Sequence, residues 1–307
     1  FKTRIRFIFG TDEENLWRCL EKYNEKEEGI TQGFAPDAEF PLIYAEKGLL
    51  QAYLTGPGTN EFSVKAGGAL NVVPDAAPYS GEKLSEVKEA LKKHEFDFEE
   101  QGEGIVVLGK SIHAKDAAQG VNAISRLAIA LSEVFDFGPI NFLGKLVQEN
   151  ATGEAVVGKT EDEQSGELTM NLASLEITPE QTKIGVDMRI PVTFKKDDLV
   201  AKLTKTAEKY GLTYEEFDFL DSLYVPLDSE LVKNLLGTYR DITGDMTEPF
   251  VSGGATFART MNQCVAFGAM FPDTPDFMHQ ANERWELSSM YKAMEIYAEA
   301  VYRLCAK

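Results

Sequence analysis

The sequence predicts an α/β protein of two domains, in which the second domain is inserted into the first. The 307 residues are more than a single hydrophobic core usually needs. Both ends of the chain show strand and helix patterns in α/β style, whereas the middle shows a βαββαβ order that is typical of a ferredoxin-like unit. We therefore predict an α/β domain from residues 1–50 and 222–307, interrupted by a domain at residues 51–221.

The first predicted elements are a strand, an acidic turn and a helix. Ile5, Phe7 and Phe9 alternate with arginines, and apolar residues then recur at helical spacing as far as Tyr23. The turn between them, at residues 12–14, follows the carboxyl end of the strand, which is where α/β sheets tend to place ligand sites.

The inserted domain is predicted from the regular order of its patterns. Shorter strands and a helix come first, and the βαββαβ unit follows them. Its elements are a strand at residues 105–108, a helix at 121–131, a hairpin at 168–175 and 182–190, a helix at 199–210 and a strand at 214–219.

The last part of the chain returns to the α/β pattern. A small-residue turn at residues 252–258 lies between a helix near 231–239 and an apolar strand at 264–271, and a long helix begins at residue 286. These elements are predicted to complete the domain that the insertion interrupts.

Composition excludes several classes of partner. The net charge of −19 would repel nucleic-acid phosphates. No apolar run approaches the roughly 20 residues of a membrane helix, and the first residues lack a signal-peptide pattern. The three cysteines form no disulfide framework and no CxxC motif. We therefore predict no nucleic-acid partner, no membrane span and a reducing, cytoplasmic location.

Adjacent carboxylates at Glu13 and Glu14 point in different directions, so they can perform two different tasks. Metal-assisted hydrolysis needs one carboxylate as a metal ligand and another as the general base for a water molecule. Acidic residues also favour helix N-termini because of the macrodipole, and the motif alone leaves both interpretations open.

Asp37 and the histidines are the other candidates for chemistry. Asp37 lies in a proline-bounded turn, where an aspartate binds a metal or caps its own backbone. Of the three histidines, His94 is interpreted as a cation at a helix C-terminus and His113 lies in a loop between a strand and a helix. His279 lies in a proline-rich loop, where it could bind a metal or satisfy a hydrogen bond.

Taken together, these segments resemble the PepV-type dipeptidases of the aminoacylase and carboxypeptidase superfamily. The resemblance runs along the whole chain, and its more specific parts are the second segment and the closing HQANE. In order, the segments are FGTDEEN, APDAEFPLIYAEKG, GKSIHAKDAAQGVNA, VDMRIPV, VSGGATFAR and FPDTPDFMHQANE.

The resemblance implies a zinc-peptidase-like catalytic domain with a lid domain inserted into it, and two zinc ions in an intact active site. Glu13 would be the general base, Glu14 and His279 would bind one zinc, and Asp37 would bind the other. A mixed histidine and carboxylate site would also accept manganese or cobalt.

The resemblance also implies a substrate site on the lid. His113 would stabilise the oxyanion, and Arg189 would bind the C-terminal carboxylate of a dipeptide or short peptide. Further substrate-contacting positions would be Asn71, Gly253 and Gly254.

The sequence departs from the family pattern at the metal site. Relatives carry a zinc-binding histidine in an HxD motif and a bridging aspartate before the acidic turn, and this sequence contains neither. The three retained ligands are too few for two zinc sites. We therefore expect a metal-dependent dipeptidase that needs an N-terminal segment absent from this chain, and little activity from this chain alone.

Two other functions remain open. An N-acyl amino acid amidohydrolase of the same superfamily would use the same metal chemistry and would also need Arg189 for a carboxylate. A non-catalytic binding or assembly module could use an exposed strand edge of the inserted domain.

Overall fold

A computed structural model describes residues 3–13, 17–275, 277 and 282–306 of the chain. Unit 1 comprises Phe1–Lys47 and Ser222–Lys307, and unit 2 comprises Gly48–Asp221. The boundaries predicted from the sequence follow residues 50 and 221. In the structure the chain leaves unit 1 after Lys47 and returns to it after Asp221. None of the described helices has an apolar stretch long enough to cross a bilayer.

Helices and strands both occur in each unit, which confirms the predicted mixed α/β class. The helices are α1 (Arg18–Lys26), α2 (Leu84–Lys93), α3 (Ala123–Val134), α4 (Gly138–Asn141), α5 (Glu154–Val157), α6 (Lys196–Glu208), α7 (Glu230–Thr243) and α8 (Leu287–Cys305), with 3-10 helices at Ala114–Gln119 and Phe257–Thr260 and a π-helical turn at Phe142–Val147. The strands are β1 (Gly33–Ala35), β2 (Ala38–Glu39), β3 (Ile43–Glu46), β4 (Gly48–Pro57), β5 (Val64–Gly67), β6 (Ala76–Tyr79), β7 (Phe98–Gln101), β8 (Gly104–Leu108), β9 (Glu161–Asp162), β10 (Gly166–Glu167), β11 (Thr169–Ile177), β12 (Gln181–Ile190), β13 (Thr213–Leu220), β14 (Leu223–Tyr224), β15 (Phe250–Ser252), β16 (Cys264–Ala266) and β17 (Ala269–Met270).

Unit 2 is built on an antiparallel sheet with the strand order β13, β4, β12, β11, β5. Because strand residues alternate between the two faces, Val186 and Met188 of β12 lie on one face with the other buried apolar residues. Leu127 of α3 and Leu203 of α6 belong to the same core. The main core of unit 2 therefore lies between this face of the sheet and the two helices.

The strand predicted at residues 105–108 is present as β8, but its predicted place in the βαββαβ order is wrong. β8 pairs with β6 and β7 in a separate three-stranded sheet. The first strand of the main sheet is β4, which pairs with both β12 and β13. The apolar pattern of a strand predicts its conformation but not its partner, since the partner depends on residues far away in the sequence.

Unit 1 contains a smaller sheet with the order β1, β16, β3, β14, in which β15 also pairs with β3. α7 begins after Ser229, whose side chain accepts a hydrogen bond from the first turn, and it ends at Gly244 with φ of 73°. The core is rich in aromatic residues, and Phe40 packs against both Tyr239 and Phe267.

The strand predicted at Ile5, Phe7 and Phe9 does not form. Residues 3–10 have no regular secondary structure and pair with no strand in the described part of the chain. Phe7 and Phe9 are 76% and 90% exposed. An alternating pattern describes only the side chains, whereas a strand also needs a neighbour for its backbone hydrogen bonds. The helix predicted after the acidic turn is observed as α1.

Replacing Leu203 by alanine tests the core of unit 2. Leu203 is fully buried on α6, so we expect Leu203→Ala to lower the free energy of unfolding by about 2–5 kcal/mol. Both tryptophans, Trp17 and Trp285, lie in unit 1, so their fluorescence would not report directly on unit 2. Urea unfolding is therefore followed by far-UV circular dichroism. The neighbouring Lys202 is exposed, and Lys202→Ala should change the value by less than about 0.5 kcal/mol. Equal effects of the two variants would contradict the described packing of α6.

Candidate functional site

The candidate site residues fall into two groups, one in each unit. Asn71, His113 and Arg189 belong to unit 2. Glu13, Asp37, Gly253 and Gly254 belong to unit 1. The predicted metal ligands Glu14 and His279 lie outside the described residues.

Asn71 and His113 lie side by side in unit 2. The neighbouring residue Val72 forms an isolated antiparallel bridge with His113. The backbone N–H of Ala114 donates to the carbonyl oxygen of Asn71 at 2.8 Å. These backbone contacts hold two loops together that are far apart in the sequence.

The imidazole of His113 is held as a hydrogen-bond donor. Its Nδ1 accepts a hydrogen bond from the backbone N–H of Lys115 at 3.1 Å, so the neutral ring carries its proton on Nε2. Burial lowers the pKa of His113 below its ordinary value, and the charges of Arg189 and Lys115 lower it further. The ring is therefore neutral at pH 7, with an Nε2–H group that can donate to a ligand.

Arg189 is buried in unit 2 and forms a bidentate ion pair. Its Nε donates to Oδ1 of Asp187 at 2.7 Å and its Nη2 donates to Oδ2 at 3.0 Å. Gln51 also donates to Oδ2 of Asp187, at 2.8 Å. The 3-10 helix at Ala114–Gln119, which His113 precedes, packs against β11 and β12, so the structure brings His113, Asn71 and Arg189 into one region of unit 2.

Sequence reasoning missed Asp187 and Asn171. Asp187 precedes Arg189 by two residues on β12, so alternation alone places both side chains on one face, and this signal was available in the sequence. Asn171 lies on β11, is 1% exposed, and donates to the carbonyl oxygens of Leu70 and Val72. No local sequence pattern predicts these contacts with the loop around Asn71.

In unit 1 a buried ion pair fixes the turn that contains Gly253 and Gly254. Glu46, at the end of β3, is completely buried and accepts from Nε of Arg259 at 2.9 Å and from Oγ1 of Thr256 at 2.7 Å. Nη2 of Arg259 in turn donates to the carbonyl oxygen of Gly254 at 2.9 Å. Burial raises the pKa of Glu46, whereas Arg259 and Thr256 act in the opposite direction.

The other two unit 1 candidates lie at the ends of local elements. Asp37 is exposed between β1 and β2, and its charge adds to burial in raising the pKa of Tyr297. Glu13 is partly buried before α1, and its carbonyl oxygen accepts a hydrogen bond from Nε1 of Trp17.

The described residues do not form a complete metal site. They contain no cluster of three or more histidine, cysteine, aspartate or glutamate side chains that could hold an ion. Of the predicted ligands, only Asp37 is described. The predicted set, two carboxylates and one imidazole, has the donor chemistry that zinc, manganese and cobalt accept.

The sequence and the fold of the chain both resemble those of known peptidases. Residues 1–303 match the model of peptidase family M20/M25/M40. Proteins of Staphylococcus haemolyticus and Staphylococcus epidermidis that are assigned by name to the dipeptidases are each 34% identical over 334 residues, covering 100% of this chain and 71% of their own length. The structure of aminoacylhistidine dipeptidase from Vibrio alginolyticus is similar in fold, with a TM-score of 0.50, 14% identity, and coverage of 87% of this chain and 64% of that one.

Replacing Arg259 by methionine tests the buried ion pair of unit 1. Arg259→Met leaves the Glu46 carboxylate buried without its counter-charge. We therefore expect the free energy of unfolding at pH 7 to fall by about 3–5 kcal/mol. In the variant the folded-state pKa of Glu46 lies above the unfolded value. The destabilisation is therefore complete above that pKa and becomes smaller as the pH falls through it.

The control is Arg303→Met, which removes a partly exposed arginine of the same unit that pairs with Asp241 at 2.7 Å. In urea unfolding between pH 5 and pH 8, this control should lower the free energy of unfolding by no more than about 1 kcal/mol, since exposed ion pairs contribute little to stability. Equal and pH-independent losses in the two variants would contradict the assigned role of Glu46 and Arg259.

Proposed function

The chain belongs to peptidase family M20/M25/M40, a family of metallopeptidases, and we propose that the whole protein is a dinuclear zinc dipeptidase of the PepV type. The observation that carries this proposal is the grouping of His113 and Arg189 in unit 2. A neutral imidazole N–H and a guanidinium in one region of unit 2 suit a substrate with a polarised carbonyl and a carboxylate. The dipeptidase names of the relatives from Staphylococcus support the same substrate class.

Each candidate residue then has a defined task in the hydrolysis of a peptide bond. Glu13 takes the proton of the attacking water molecule and passes it to the leaving amine. The Nε2–H group of His113 donates to the oxyanion, and Arg189 binds the C-terminal carboxylate. Asn71 and the turn at Gly253 contact the bound peptide.

The metal ligands in this proposal are Glu14, Asp37 and His279. Zinc, when bound, lowers the pKa of a water molecule and polarises the scissile carbonyl, and manganese or cobalt would supply the same chemistry. Two zinc sites usually need about three protein ligands each, some of them shared, so this chain holds only part of the set. We propose that an upstream segment of the same protein would supply a histidine and an aspartate as further ligands.

Unit 2 is the proposed lid domain. Its strands β4, β11, β12 and β13, with α3 before β11 and α6 before β13, follow a βαββαβ order, and their arrangement β13, β4, β12, β11 supports a ferredoxin-like unit. A cytoplasmic location is also part of the proposal, and the free thiols of Cys19, Cys264 and Cys305 support a reducing compartment.

Metal content and hydrolysis, measured together, test the dipeptidase and the incomplete metal site. The 307-residue chain is compared with a version extended upstream by the natural protein sequence. We expect only the extended version to hold two metal ions and to cleave alanyl-alanine, because only it carries the full ligand set. Rapid turnover by the shorter chain would contradict the role given to the upstream ligands.

The same assay separates the alternatives. Faster cleavage of N-acetylalanine than of alanyl-alanine by the extended protein would favour an amidohydrolase. If the extended protein binds no metal and cleaves neither compound, a binding module becomes the better explanation.

Replacing Glu13 by glutamine tests the general base. In the extended protein we expect Glu13→Gln to lower kcat by about 10²–10⁴-fold, because the amide cannot accept the proton of the water molecule. Metal content, measured by atomic absorption, should stay at the wild-type value, since Glu13 is not a proposed ligand. Glu25→Gln on the exposed side of α1 is the matched control and should keep full activity. Wild-type turnover in Glu13→Gln would exclude the proposed role.

A further inference from the structure

A row of polar side chains crosses the main sheet of unit 2. Gln51 on β4, Asp187 on β12 and Asn171 on β11 are direct cross-strand partners. Directly opposed residues of antiparallel strands project from the same face. Asp187 is completely buried and Asn171 is 1% exposed. Because burial of polar groups is unfavourable unless they are hydrogen-bonded, such a row constrains its neighbours strongly.

At one end of the row, Asp187 fixes the orientation of Arg189. Two parallel hydrogen bonds, at 2.7 and 3.0 Å, hold the guanidinium in a single plane. Gln51 holds the carboxylate from the neighbouring strand at 2.8 Å. The direction of the guanidinium is therefore set by β4 and β12 together.

At the other end, Asn171 fixes the loop around Asn71. Its amide group donates to the carbonyl oxygens of Leu70 at 3.2 Å and Val72 at 2.8 Å, on either side of Asn71. Nδ2 of Asn122 donates to Oδ1 of Asn171 at 3.2 Å, which defines the orientation of the amide. Because Val72 pairs with His113, the position of His113 also depends on Asn171.

We infer that Gln51, Asp187 and Asn171 are positioning residues that set the orientation of Arg189 relative to His113 before a substrate binds. The inference rests on the proposed function, which gives Arg189 and His113 their tasks. None of the three is assigned a contact with the substrate. Their effect is preorganisation: Arg189 lies on β12, and the loop that pairs with His113 is held from β11, the neighbouring strand of the same sheet.

The two ends of the row should affect different steps. Asp187 acts through Arg189, which binds the carboxylate in the ground state, so its loss should raise KM. Asn171 acts through His113, which donates in the transition state, so its loss should lower kcat. A purely structural role would lower the amount of folded protein and leave the kinetic constants of the folded fraction unchanged.

The first experiment measures kinetics in the metal-loaded, extended protein with alanyl-alanine and its C-terminal amide. For Asp187→Asn we expect a rise in KM for alanyl-alanine of about tenfold or more, with no change for the amide, because a charge-assisted hydrogen bond to Arg189 is lost. For Asn171→Leu we expect a similar fall in kcat for both compounds. Asp218→Asn is the matched control, since Asp218 is the cross-strand partner of Gln51 on β13 and lies two strands away from Asp187.

The second experiment needs no activity and uses the 307-residue chain. The titration of its three histidines is followed by NMR, and the signal of His113 is assigned by its loss in His113→Gln. The charge of Asp187 raises the pKa of His113, so Asp187→Asn should lower that pKa. Asp218 lies on β13, two strands away from Asp187, so Asp218→Asn should leave the titration of His113 unchanged.

These measurements separate failure of the inference from failure of the proposed function. If wild type cleaves the dipeptide and its amide equally well, the carboxylate-binding role of Arg189 is wrong, and the titration alone decides the inference. The inference would be overturned if Asp187→Asn left the titration of His113 unchanged. It would also be overturned if Asp187→Asn raised KM equally for the dipeptide and for its amide. If Asp187→Asn does not fold, Gln51→Leu releases only one hydrogen bond of Asp187 and should raise KM for alanyl-alanine in the same direction by a smaller factor.

Discussion

A buried carboxylate paired with an arginine constrains the candidate site in each unit. In unit 1, Glu46 and Arg259 connect the end of β3 to the turn at Gly253 and Gly254. In unit 2, Asp187 and Arg189 connect adjacent strands through Gln51. An unpaired charge in either position would be strongly unfavourable, so the backbone can adopt only conformations that keep the partners in contact. The buried ion pairs therefore also restrict the conformations of the loops that carry the candidate residues.

The unit 1 pair also explains how a domain can tolerate a long insertion. Glu46 comes before unit 2 in the sequence and Arg259 comes after it. Neither residue can be buried favourably until both segments of unit 1 are present, because each would otherwise lack its counter-charge. The aromatic core also needs both segments of unit 1, since Phe40 from the first segment packs against Tyr239 and Phe267 from the second.

The extent to which the fold could be predicted differs between its levels. The hairpin of β11 and β12 and the helices α3 and α6 follow from local patterns, and the structure contains them. The neighbours of β8 could not be predicted, because strand pairing is decided by residues far apart in the sequence. Residues 3–10 show the same limit, since alternation is present without a neighbouring strand.

The sequence by itself determined the family and the types of residue that could carry the chemistry, because order and spacing of motifs are properties of the chain alone. Only the tertiary structure decided that Arg189 is paired with Asp187, that Asn171 holds the loop around Asn71, and that His113 is a neutral donor on Nε2. These features depend on hydrogen bonds across strands and loops, which exist only once the register of the sheet is fixed. The orientation and protonation of a side chain are therefore decided by neighbours that the local sequence does not contain.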